Sequence, residues 1–147
     1  MPELRIRPLA VCVCRDGARI LVEHGYDRVK RQRFYRAIGG GIEFGERAAE
    51  AVRREWMEEL SADLDDLRLL GVLENLFTYE GREGHEVVFV FTARLRDATR
   101  RSVGPVEVVE SDGQRHVATW EPLTELEKND VPLYPAGILD LLRHEAS

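Results

Sequence analysis

The chain has 147 residues, of which 44% are hydrophobic and 33% charged, and its formal net charge is -6. That length suits a single domain, 1–147, able to bury its own core without disulfides or structural metals. The acidic balance argues against general nucleic-acid binding, which depends on many lysine and arginine contacts to phosphate, but a nucleotide-sized ligand remains admissible.

Leu9 to Cys14 is an apolar run that reads as a buried strand, followed by a hairpin signal at Asp16-Gly17 and a return strand over Arg19 to Glu23. Cys12 and Cys14 lie two residues apart, so on a strand they share a face. With no further Cys or His at zinc spacing, they read as buried free thiols. Met1 to Pro8 lacks the apolar run of a secretory leader. No stretch approaches the ~20 apolar residues of a membrane helix. Both observations place the expected compartment in the cytoplasm, with no membrane partner.

Gly25 to Arg33 is polar and basic and reads as a loop; Phe34 to Ile38 is a short extended piece. Three glycines follow, Gly39, Gly40 and Gly41, with a fourth at Gly45. Glu46 to Leu60 has helical chemistry: Ala, Glu, Arg and Leu dominate, and Pro and Gly are absent. Ala49, Val52, Trp56 and Leu60 form its apolar stripe. Leu67 to Phe77 reads as a strand with a bulge at Gly71, Gly81 to Gly84 as a turn, and Val87 to Leu95 as the strongest strand in the chain. Asp97 to Pro105 is a polar connector. Val106 to Val109 and His116 to Trp120 are further strands around a turn at Ser111-Asp112-Gly113, and Pro135 to His144 is a closing helix. This order predicts an α/β (α+β) fold, a mixed sheet with helices on its faces.

The chemistry concentrates in residues 40–62. At about 100° per residue, Glu55, Glu58 and Glu59 fall within an arc of roughly 100° on one helix. Three carboxylates on so narrow a face repel one another unless a cation sits there. Hard cations such as Mg²⁺ take oxygen ligands and keep waters and substrate phosphates in the remaining positions. The glycine loop suits the same task, because a backbone without Cβ can approach a metal or phosphate closely. Arg54 is four residues from both Glu50 and Glu58 and can pair with either. A glutamate-rich helix face alone is ordinary solvated surface; its conjunction with the glycines carries the reading.

The stretch Gly40-Gly-Ile-Glu-Phe-Gly-Glu46, then seven residues, then Arg54-Glu55-Trp56-Met57-Glu58-Glu59, resembles the Nudix box, G-x5-E-x7-R-E-U-x-E-E-x-G-U with U a bulky aliphatic residue. The box spans 40–62, and the flanking order of elements is also similar to the family. The resemblance implies a Nudix fold, with a mixed central β-sheet sandwiched between helices (α/β/α). Among the family's members, the short chain is most similar in size to the compact, MutT-like nucleotide pyrophosphohydrolases, and the resemblance implies their reaction class. They hydrolyse a phosphoanhydride bond in a nucleoside diphosphate linked to another moiety: an NTP or dNTP, a dinucleoside polyphosphate or a nucleotide sugar. The implied cofactor is Mg²⁺ or Mn²⁺.

Carried over position by position, Glu55 and Glu59 would be the main metal ligands, Glu58 a further ligand or the base, and the carbonyl of Gly39 an additional ligand. Glu46 and Arg54 would position the loop against the helix. Arg36, with Gly40 and Gly41, would meet substrate phosphates. Glu110, Asp112 and Glu86 are candidates for an extra carboxylate beyond the box, Glu110 and Glu86 foremost. Phe34, Tyr35, Phe77, Tyr79 and Tyr134 are aromatic groups able to stack on a base. Ser61, Trp56, Ala62 and Ile38 depart from the usual pattern; Ser61 stands where the family's glycine supplies a left-handed helix end. The competing reading is a non-catalytic nucleotide sensor on the same fold, disfavoured because every box carboxylate is present. A homodimer is left open.

Overall fold

The computed structural model describes residues 4–97 and 104–146. The expected connector at 97–105 therefore lies largely outside the described residues, as do the first three residues of the chain. In chain order the elements are β1 (Ile6–Asp16), β2 (Arg19–Asp27), β3 (Gln32–Arg36), β4 (Ile38–Gly41), α1 (Ala48–Leu60), β5 (Leu64–Tyr79) and β6 (Arg82–Leu95). They continue with β7 (Val106–Val109), β8 (Arg115–Pro122), α2 (Leu123–Glu127), β9 (Leu133–Tyr134) and α3 (Ile138–Ala146). No helix among the described residues is long and apolar enough to cross a membrane.

The sheet is mixed. Its main path runs β5-β6-β1-β2-β3-β9, with β4 on β1 and the β8-β7 pair on β2. β1 runs parallel to β6 and β3 parallel to β9, and the remaining pairs are antiparallel. Alternation along β1 builds both halves of the core. Ala10, Cys12 and Cys14 face α1, where they meet Ala51, Val52, Trp56 and Leu60. Val11 and Val13 face the opposite side and pack with Leu126 of α2 and Ile138 and Leu142 of α3. The result is the expected three layers, helix on both faces of a mixed sheet. Both cysteines are free and buried, and burial pushes the Cys12 thiol up.

α1 starts at Ala48, two residues later than its composition suggests. Glu46 is instead taken up by the preceding turn: its amide donates to the Glu43 carbonyl at 2.9 Å, and its carboxylate accepts from the Glu43 amide at 3.1 Å. Glu50 does not pair with Arg54. Its carboxylate accepts from the Arg47 amide at 3.1 Å and so closes the helix start. At the other end Ser61 adopts the left-handed conformation, φ 51°, and its amide bonds to the Met57 carbonyl. The helix thus ends where the glycine would have ended it, on a residue that carries a Cβ. Trp56 is fully buried, and its indole N–H donates to the Ile38 carbonyl at 2.9 Å, tying α1 to β4.

The segment expected to be a loop, 25–33, is mostly strand. β2 continues to Asp27 and β3 begins at Gln32, because the buried Asp27 carboxylate at this tip accepts from the Val29 and Lys30 amides and so is not left unpaired. Gly84 lies within β6 rather than in the turn, which falls at Glu80-Gly81. The bulge near Gly71 is present as a register shift between Leu69 and Gly71, and a second shift separates Asp65 from Arg68. The short elements α2 and β9 carry no periodic signal and were not expected.

Candidate active site

A cleft of about 450 Å³ opens between the β2–β3 hairpin, the β5–β6 hairpin and the C-terminal half of α1. Gly39, Gly40 and Gly41, all on β4, border it beside Glu55 and Glu59 of α1. Gly40 lies directly beneath the Glu55 carboxylate. A Cβ there would stand 2.5 Å from the carboxylate carbon of Glu55 and 2.6 Å from both its oxygens. The glycine run thus lets a helix carboxylate lie directly on strand backbone.

Arg54 holds loop and helix together. It donates to Glu46 at 2.7 and 2.9 Å, to the Gly41 carbonyl at 3.0 Å and to Glu55 at 2.9 Å. Hydrogen bonds from Arg54 hold the Glu46 carboxyl down at about 2. Glu58 is more remote: its side chain is half exposed, 3.4 Å from Arg54, and does not border the cleft. The three box glutamates therefore separate. Glu59 points inward and is buried, Glu55 lies over Gly40, and Glu58 faces solvent.

Glu110, on the turn after β7, borders the same cleft as Glu59, and its negative charge acts on that carboxyl. Arg36 donates to Glu110 at 2.6 Å and also pairs with Glu23. Glu23 is the residue that sequence reasoning missed. It is 2% exposed, it borders the cleft, and its Oε1 has no hydrogen-bond partner among the described residues. A signal existed in the alternation of β2: Glu23 falls on the same inward face as Leu21. Glu86 also borders the cleft, near Asn75 and 3.8 Å from Arg7.

The electrostatics of this cluster are one-sided. Burial, followed by the hydrogen bond and charge of Glu110, pushes the Glu59 carboxyl far above its ordinary value. Glu23 is raised too, by burial first, against the pull of Arg36. Glu55 is raised by burial, with Arg54 opposing. Glu110 is the member held low: burial works against it, but hydrogen bonds from Glu23 and Glu59 and the charge of Arg36 prevail. Arg36 is the cation paired with Glu23 and Glu110.

Such a donor set, all hard oxygens in excess of their counter-charge beside unhindered backbone, fits a divalent cation. Among the described residues no three acidic, His or Cys side chains already converge into a cage. Mg²⁺ needs none, since it binds through one or two carboxylates and fills its remaining positions with water and phosphate.

Fold and site together define a class. Residues 5–142 match the family model for the NUDIX domain, and the chain belongs to that family. Solved structures of similar shape include a MutT NUDIX hydrolase from Burkholderia pseudomallei, 26% identical, with TM-score 0.67 over 94% of this chain and 97% of that one. A MutT protein from Bacillus halodurans is 22% identical, with TM-score 0.63 over 95% and 81%. An ADP compounds hydrolase is 18% identical, with TM-score 0.65 over 95% and 72%. These last two show the likeness of fold. No curated protein matches the sequence.

Proposed function

We propose that this chain hydrolyses a phosphoanhydride bond in a nucleoside diphosphate linked to another moiety, using Mg²⁺ or Mn²⁺. The observation that carries the reading is that Glu55, lying over Gly40, Glu59, and Glu110 with its partner Arg36 all line one cleft. Membership of a hydrolase family supports it. So does the description of one similar structure as an ADP compounds hydrolase.

In this reading Glu55 and Glu59 hold the metal, with Glu110 as the extra carboxylate and the Gly39 carbonyl as a further oxygen. Glu58 reaches the site from its solvent position once the metal and phosphates are bound, as a further ligand or as base. When bound, the metal neutralises phosphate charge and lowers the pKa of a water. Arg36 and the amides of Gly40 and Gly41 bind and orient the phosphates. Arg54 and Glu46 keep the glycine strand against the helix. Glu86 supplies negative charge at the cleft wall.

The test is a panel of NTPs, dNTPs, dinucleoside polyphosphates and nucleotide sugars, with Mg²⁺ or Mn²⁺ and product identification, for wild type and Glu59→Gln. Metal-dependent cleavage that falls at least a hundredfold in the variant supports the enzyme. Tight binding without turnover across the panel establishes a nucleotide sensor instead.

A further inference from the structure

α1 covers its face of the sheet only at one end. Ala10 and Phe91 belong to the core beneath the helix and are buried. Farther along the same face of β5, β6 and β1, cross-strand pairing sets Val72 beside Phe89 and Leu76 beside His85 and Ile6. Between those rows lie Glu74, Val87 and Pro8. Here the cover ends: Val72 is 49% exposed, Ile6 58% and Leu76 70%. Leu69, opposite Phe91 at the border of the helix, is 53% exposed. These four side chains leave roughly 450 Å² of apolar surface bare, a size at which an exposed patch is ordinarily a binding surface. Leu4, two residues before Ile6, is exposed as well. With it and the polar members of the rows, the face offers about 800 Å², one partner's share of a standard protein interface.

The chemistry of this face narrows its occupant. β5 is the last strand of the sheet path, but two register shifts interrupt it, at Asp65/Arg68 and Leu69/Gly71. Such bulges break the regular row of amides and carbonyls that an added strand needs, so the face rather than the edge is the docking element. The rows hold no lysine or arginine, and their exposed charge is the acidic Glu74. An anionic lipid surface, which attracts basic clusters, is therefore a poor match. A second copy is a good one. Two sheet faces stack about 10 Å apart with their apolar side chains interdigitated, and a two-fold axis lets a single patch serve both sides. Glu74 and His85 sit diagonally on neighbouring strands. The face thus carries one acceptor and one donor, and a copy turned over on it answers each with its complement.

We infer that this chain forms a two-fold homodimer through the bare sheet face bearing Ile6, Val72 and Leu76, whatever the cleft hydrolyses. Val72 and Leu76 are the anchors, because they combine apolar side chains with high exposure in the single chain. The cleft stays open in the dimer, since the inward residues of the same strands, Asn75 and Phe77 on β5 and Glu86 on β6, alternate with those of the interface.

The test is the mass in solution. Sedimentation velocity across the micromolar range should show the wild type at twice the mass of the chain, dissociating on dilution. Leu76→Lys and Val72→Lys should each raise the dissociation constant about tenfold, the effect of losing one interface anchor, and the double variant should run at the single mass. Both positions are exposed, so the core is untouched; at the lowest concentrations, where the wild type is also dissociated, variant and wild type should melt alike. Leu76→Ala, which removes apolar surface without adding charge, should weaken the dimer in the same direction and keeps the test decisive if the lysine variants fold poorly. Val117→Lys, at an exposed apolar residue on β8 outside this face, should leave the dimer intact. A wild type at the single mass throughout overturns the dimer, whatever else that face binds. A dimer that survives the Val72 and Leu76 substitutions overturns it too, because another surface then joins the copies.

Discussion

Glu23 and Arg36 stand opposite one another across the β2–β3 ladder, and Arg36 reaches from that pair to Glu110. Arg36 therefore neutralises a carboxylate with almost no access to water. Removing the cation should cost more than removing the pair. Arg36→Ala is expected to destabilise the chain by about 2 kcal/mol, below the range for a fully buried ion pair because the Arg36 side chain is partly exposed. Adding Glu23→Gln should recover at least half of that loss. Urea denaturation of the two single variants and the double variant measures the coupling; simple additivity would show that the pair is not an energetic unit.

Glu59 is 7% exposed and lies against Glu110, with Glu55 and Glu23 adding like charge. Such an arrangement favours metal binding at the expense of the metal-free fold. Glu59→Gln is accordingly expected to melt at the same temperature as wild type or above it without metal, while kcat/KM falls at least a hundredfold. Millimolar Mg²⁺ with a nucleotide should raise the wild-type Tm by several degrees and leave the variant unmoved. A variant that melts well below wild type would show that the carboxylate supports the fold.

What was legible in the sequence follows the reach of local periodicity. Glu55, Glu59 and Gly40 are recognisable because helix geometry places residues four apart on one face, and because backbone without Cβ can approach a metal or phosphate closely. The same geometry did not separate Glu58, which shares the arc yet turns to solvent. Glu110 stands out only as one of three acidic candidates, since its approach to Glu59 depends on where a distant turn lands. Glu23 was passed over because charge on a strand is ordinarily read as outward-facing. Residues 25–33 read as loop for the same reason, yet Gly25 seats the Phe34 ring and Asp27 accepts from the Glu80 amide across the cleft. Polar strands that build a cleft wall lack the apolar alternation by which strands are recognised.

Glu46 gives a pH dependence with a definite sign. Its carboxyl is held at about 2, against an ordinary value of 4.5, chiefly by hydrogen bonds from Arg54. A folded-state value below the unfolded one stabilises the chain above the unfolded value, and that contribution is lost as pH falls through the folded value. The Tm of wild type should therefore exceed that of Glu46→Gln above pH 5. The gap should narrow below pH 4.5 and close near pH 2. A gap that stays constant over this range would mean that ionisation of Glu46 contributes nothing to stability.

Ser61 ends α1 at φ 51°, and its amide closes the helix on the Met57 carbonyl. A side chain in this conformation crowds its own backbone, whereas glycine adopts it freely. Ser61→Gly is expected to stabilise the chain by about 0.5–1 kcal/mol, because relief in the folded state outweighs the added freedom of the unfolded chain. Activity should stay within twofold of wild type, since Glu59 keeps its position when the next turn is already left-handed. Equilibrium denaturation in urea measures the first effect, and steady-state hydrolysis of the best substrate in the panel measures the second. A loss of stability would mean that the serine hydroxyl contributes a bond worth more than the backbone strain it accompanies.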